Sequence, residues 1–128
     1  MAIQLATITL VVDDYDRGIA FYRDVLGFRL FTDTELGEGK RWVTLGGAGG
    51  ARLLLAVADG AAQRAAIGHQ TGGRVGFFLE SDDFAADHAR LLAAGVRFLE
   101  APRHERYGDV AMFEDVYGNT WDLIQPRG

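Results

Sequence analysis

The chain has 128 residues, 48% hydrophobic and 24% charged. That is ordinary usage for one domain or two tightly fused modules, and it excludes a disordered chain. A net charge of −5 argues against nucleic acid or an anionic membrane surface as partners, and the absence of cysteine leaves only His, Asp and Glu for any metal.

The start, Met-Ala-Ile-Gln-Leu, lacks the basic region and apolar run of a secretory signal. No segment approaches the roughly 20 apolar residues that cross a bilayer, so a cytoplasmic protein is expected. Residues 3–12 alternate in hydrophobicity and predict a strand with Ile8, Leu10 and Val12 on one face and Thr7, Thr9 and Val11 on the other. Asp13 and Asp14 are N-cap candidates for a helix over 15–26, where Tyr15, Ile19, Tyr22 and Leu26 recur at helical spacing and Gly27 is a natural stop. Strands are expected over 28–32, 41–45 and 51–58, with loops at 34–40 and 46–50.

Residues 59–73 break this pattern, with a short helix over 61–67 and a glycine-rich loop. The same order then begins again: a strand over 74–81, a helix over 84–94, and strands over 96–99, 109–113 and 120–124, with a loop at 102–108. Residues 7–15 lie over 76–84 without a gap. Leu10 matches Leu79, Asp13-Asp14 match Asp82-Asp83, and Tyr15 matches Phe84; after one deletion Gly27 matches Gly95 and Leu54 matches Asp122. A shared Asp-Asp-aromatic start and glycine stop at near-constant spacing indicate an internal duplication. The expected fold is α+β, with two βαβββ modules, 1–58 and 74–128, joined by a linker at 59–73.

Beyond the Tyr117-Gly118-Asn119 turn, period-2 alternation puts Thr120, Asp122 and Ile124 on one face and Trp121, Leu123 and Gln125 on the other. Asp122 is thus a carboxylate among apolar neighbours on a strand expected to be half buried.

Two such modules, with Phe21-Tyr-Arg-Asp-Val-Leu-Gly-Phe28 in the first and Phe113-Glu-Asp-Val-Tyr-Gly-Asn-Thr-Trp-Asp-Leu-Ile124 in the second, resemble the vicinal oxygen chelate superfamily. That superfamily contains glyoxalase I, the bleomycin and fosfomycin resistance proteins, extradiol dioxygenases and methylmalonyl-CoA epimerase. The resemblance implies curled mixed sheets that enclose a concave pocket, and a homodimer. It also implies metal ligands at four positions, which fall here on Thr7, Leu54, Gly76 and Asp122, with Arg74 in place of Gly76 if the register slips by two. Only Asp122 is a ligand type suited to a divalent metal, so no metal cofactor is expected.

The pocket face expected from the strands carries Thr7, Thr9, Leu54, Arg74, Phe78 and Asp122 among its residues, an apolar surface with a few polar groups. His69, His104 and Tyr107 are loop candidates for its lining, with Arg103 and Arg106 beside Tyr107. Arg74 is the expected partner of Asp122. An arginine there would lower the pKa of Asp122, which counts against a strong base. Trp42 and Trp121 are read as core or dimer-interface residues. The function expected is binding of a small organic molecule without metal. The alternatives are a glyoxalase-like lyase or dioxygenase with a divalent metal in a rebuilt site including Asp122, and a non-catalytic interaction module.

Overall fold

A computed structural model describes residues 2–128. The chain forms two compact units, Met1–Ile67 and Gly68–Gly128. The division falls inside the stretch read as a linker, so the helix there belongs to the first unit.

In the first unit β1 (Thr7–Val12) leads into α1 (Tyr15–Ile19), which runs on as a π-helical stretch, Ala20–Val25. The Asp14 side chain caps α1 by accepting the N–H of Arg17 at 2.8 Å. Gly27, at φ 90°, ends the run, and the N–H of Phe28 reaches back to the carbonyl of Tyr22. β2 (Arg29–Gly37), β3 (Lys40–Gly46) and β4 (Arg52–Val57) complete a mixed sheet in the order β1-β4-β3-β2, and α2 (Ala61–Ala66) follows. β1 and β4 are parallel and the other pairs antiparallel. Leu10, Val12, Val43, Leu45, Leu53 and Leu55 bury one sheet face with Ile19, Tyr22 and Leu26 of the helical run. Each fully buried leucine there contributes about 2 kcal/mol.

In the second unit β5 (Phe77–Glu80) leads into α3 (Phe84–Ala93), capped by Asp83. β6 (Arg97–Phe98), β7 (Arg103–His104), β8 (Gly108–Glu114) and β9 (Thr120–Pro126) follow. The sheet order is β5-β9-β8-β6, with β7 also paired to β8. Phe77, Phe113 and Trp121 form a buried aromatic stack, with Trp121 rings 4.7 Å from Phe77 and 5.9 Å from Phe113. Trp121 is thus a core residue, whereas Trp42 is exposed.

The fold is α+β, with two mixed sheets and the element order repeated between units. The repeat extends to register: Thr9 lies opposite Leu54 in the first sheet, and Phe78 lies opposite Asp122 in the second.

Several boundaries differ from expectation. The first strands of both units begin later, at Thr7 and Phe77. The stretch 34–40 is not a loop. β2 continues to Gly37, and only Glu38 and Gly39, both at positive φ, make the turn. Charges misled there because an exposed ribbon needs no apolar face, and Glu35 lies opposite Arg41. The 102–108 loop likewise contains β7.

The hairpin turn between β8 and β9 is organised by Asp115, only 6% exposed. Its carboxylate accepts the backbone N–H groups of Tyr117 and Asn119, each at 2.9 Å, the side-chain amide of Asn119 at 2.9 Å, and the indole N–H of Trp121 at 3.2 Å. The Asp-x-x-Gly-Asn motif therefore fixes the turn just ahead of Asp122, and Gly118 supplies the positive φ it requires.

Candidate functional site

Alternation on β9 buries Trp121 and Leu123 in the core and turns Thr120, Asp122 and Ile124 to the opposite face. The ladder places Phe78 on one side of Asp122 and Met112 on the other. Phe78 is 65% exposed, a large aromatic surface next to a carboxylate. The Oδ1 atom of Asp122 is shielded from solvent and has no hydrogen-bond donor among the described residues. A buried acceptor left unpaired costs free energy.

Arg103 and Glu100 form the electrostatic surroundings of Asp122. Burial pushes the Asp122 carboxyl above the usual carboxylate range; the positive charge of Arg103 opposes this and the negative charge of Glu100 reinforces it. Glu100 is itself held low, chiefly by its bond from Arg103 Nε at 2.8 Å. Its second oxygen accepts the N–H of Met112 at 2.9 Å. A carboxylate thus takes over the ladder just beyond the end of β6. Arg103 also bonds Glu105 at 3.1 Å and lies 3.5 Å from the Tyr107 hydroxyl. Because Arg103 lies opposite Val110, which lies opposite Ile124, it shares the face of Asp122.

The other expected site residues fall as follows. Phe78 and Asp122 are adjacent, and Tyr107 joins them only through Arg103. Arg74 is not the partner of Asp122. It precedes β5 in an exposed turn, where the Thr71 hydroxyl donates to its carbonyl at 2.7 Å, and among the described residues its guanidinium has no ion pair. Starting the strand at 74 rather than Phe77 caused that error. His104 lies opposite Asp109, on the other face of the sheet, and bonds its carboxylate at 2.8 Å. His69 is an exposed loop residue. Thr7, Thr9 and Leu54 belong to the first sheet, on its face opposite Leu10, Val12 and Leu55. Glu100 and Met112 were missed. The Glu-x-x-Arg spacing from Glu100 to Arg103 and the pairing of β8 with β9 were the available signals.

A profile described as the Glyoxalase/Bleomycin resistance protein/Dioxygenase superfamily matches residues 4–123. The chain belongs to this superfamily. It is 49% identical over 121 residues to an uncharacterised protein of Shewanella frigidimarina (strain NCIMB 400), covering 92% of this chain and 90% of that protein. Among solved structures it is similar to UcmS2, with a TM-score of 0.83 and 30% identity over 97% of this chain and 98% of the other. It is also similar to TnmS3, described as an antibiotic binding protein from Streptomyces sp. CB03234, with a TM-score of 0.76 and 30% identity over 99% of both chains.

The residues at the superfamily's metal positions are poor ligands for a divalent ion. The four positions carry an exposed threonine (Thr7), a leucine (Leu54), a glycine (Gly76) and Asp122. A side chain at Gly76 would meet the Thr71 methyl at 2.5 Å. Among the described residues no three His, Asp or Glu side chains gather as a metal-binding group. One carboxylate with a leucine and a glycine does not fit a divalent ion. No described helix is long and apolar enough to cross a membrane.

Proposed function

We propose that this superfamily member binds a small organic molecule, without a metal, on the Asp122 face of the second sheet, and performs no chemistry on it. The observation that carries this reading is the buried, unpartnered Asp122 Oδ1 beside the exposed ring of Phe78. A planar ligand would stack on Phe78 and donate a hydrogen bond to Asp122. The ill-fitting metal positions and the 30% identity to TnmS3, described as antibiotic binding, support the same class of activity. The resemblance further supports a homodimer, which sedimentation of the purified protein tests by mass, and a cytoplasmic location stays the expectation from the sequence.

The test joins elemental analysis with thermal unfolding against a panel of aromatic antibiotics, bleomycin among them. A ligand at about 100 times its Kd stabilises by about 2.7 kcal/mol. The expected result is no stoichiometric metal, no effect of chelator, and a panel compound that raises the wild-type Tm but raises that of Asp122→Asn less. One tightly bound metal per chain, lost in Asp122→Ala, would instead favour the lyase or dioxygenase reading. A panel with no active compound would favour a non-catalytic interaction module.

A further inference from the structure

We propose that Arg29 and Arg52, gathered on Phe31 in the first sheet, form a second binding site, one for the oxyanion of a small carboxylate or phosphate compound. This site is built from residues of the first unit alone and does not rest on the reading given above.

The chain carries 18 acidic and 13 basic side chains, so carboxylates are in excess. Seven arginines, at positions 17, 23, 41, 90, 97, 103 and 127, have acid partners. Among the described residues Arg64, Arg74 and Arg106 have none, and neither do Arg29 and Arg52. Both nonetheless lie against one ring: the guanidinium carbon of Arg52 is 3.6 Å from the Phe31 centroid, and that of Arg29 is 5.3 Å from it. Arg41 shows the structural alternative within the same unit. It also lies over an aromatic ring, that of Tyr15, but its charge is neutralised by Asp33 and Asp16. Cation–π contact orients a guanidinium without cancelling its charge. Two like charges sharing a ring repel, and an anion bound beside them would reduce that cost.

The backbone makes room for this arrangement. The register shift between Leu30 and Thr32 leaves Phe31 out of the ladder, while Arg29 lies opposite Gly46. A Cβ on Gly46 would stand 3.3 Å from Cγ of Arg52 and 3.4 Å from the Phe31 ring. The missing side chain lets the Arg52 stem cross to Phe31. Arg52 also lines an open cavity of about 570 Å³ with Gln4, Leu5, Ala6, Thr7 and Gly50. The Gln4 amide and Thr7 hydroxyl add hydrogen-bonding groups, and Leu5 adds apolar surface. The planar guanidinium fork suits a carboxylate or phosphate in two parallel bonds, which an ammonium cannot reproduce.

The experiment is calorimetric titration of the purified protein with inorganic phosphate and with benzoate, separately, at low salt. Saturable binding of at least one probe is expected. Arg52→Gln and Arg29→Gln should each weaken it about tenfold or more. Arg52→Lys should recover only part of the loss. Circular dichroism confirms that each variant is folded; both arginines are exposed, so folding should survive. A preference for phosphate identifies a phosphate ester as the natural ligand class, and a preference for benzoate an aromatic carboxylate. No saturation by either probe up to about 10 mM, or wild-type affinity in both Gln variants, overturns the proposal.

Discussion

Asp122→Asn should stabilise the ligand-free protein at neutral pH, and the gain should disappear in acid. The charge of a shielded carboxylate without a donor costs about 1–3 kcal/mol, and the neutral amide of Asn removes that charge. Asp122 as a whole is only half buried although its Oδ1 is shielded, so the lower end applies. A gain of about 1 kcal/mol corresponds to a rise in Tm of about 4 °C at this chain length. Burial raises the Asp122 pKa in the folded state above its unfolded value of about 3.9. Its contribution to stability is therefore complete below pH about 3.9 and is lost as pH rises through the folded value. The Asn variant lacks this titration, so the gap between the two proteins should open with rising pH and close below about pH 4. Asp122→Leu, which copies the matching Leu54 of the first sheet, should behave likewise. The assay is thermal or urea unfolding from pH 3 to 8. A variant less stable than wild type at pH 7, or a gap constant across that range, would show that the carboxylate is already satisfied and would remove the reason for assigning it to a ligand.

Three further outcomes follow from the same contacts. Asp115→Ala should cost about 3–5 kcal/mol in urea unfolding, because four donors, three of them buried, lose their acceptor together. Carbon-13 titration of the Asp122 carboxyl should move up in Arg103→Gln and down in Glu100→Gln, since those charges act on it in opposite directions; shifts of the opposite sign would mean that other charges control it. Gly68→Ala should destabilise by about 2 kcal/mol or more, because φ is +76° and a Cβ would meet the Tyr117 carbonyl oxygen; a neutral Tm would place that turn elsewhere.

The architecture was legible because it rests on local chemistry that recurs. Asp14 and Asp83 each cap a helix, Gly27 and Gly95 each follow one at positive φ, and alternation identified the buried rungs. The superposition that matched Leu54 to Asp122 also held, since each lies opposite the residue matched on its first strand. The partner of Asp122 was not legible. Arg74 was favoured by assuming that the β5 strand began at 74, whereas Thr71 and Arg74 close a turn and the ladder starts at Phe77. Arg103 reaches the Asp122 face through a two-residue strand inside a segment whose composition reads as loop. So short an element has no periodicity to detect, and only its pairing with Val110 sets the direction of its side chains. Arg29 and Arg52 were invisible for a different reason. A charge is informative when it lacks a partner, and partners belong to the tertiary structure.

Duplication makes the differences between the units more informative than their likenesses. At matching rungs the first sheet carries Thr9 with Leu54 and the second carries Phe78 with Asp122. The fold alone cannot require Asp122, because the same backbone position is filled by leucine in the other copy. Nor is Asp122 retained as an ion pair, since its Oδ1 has no donor among the described residues while Arg103 directs Nε to Glu100 and Nη1 to Glu105. Asp115, seven residues earlier, shows what a structural aspartate looks like in this unit: buried, and surrounded by donors. A carboxylate without a donor, which the duplicated position does not need and which lies beside an exposed aromatic ring, is what the proposed contact with a ligand would account for.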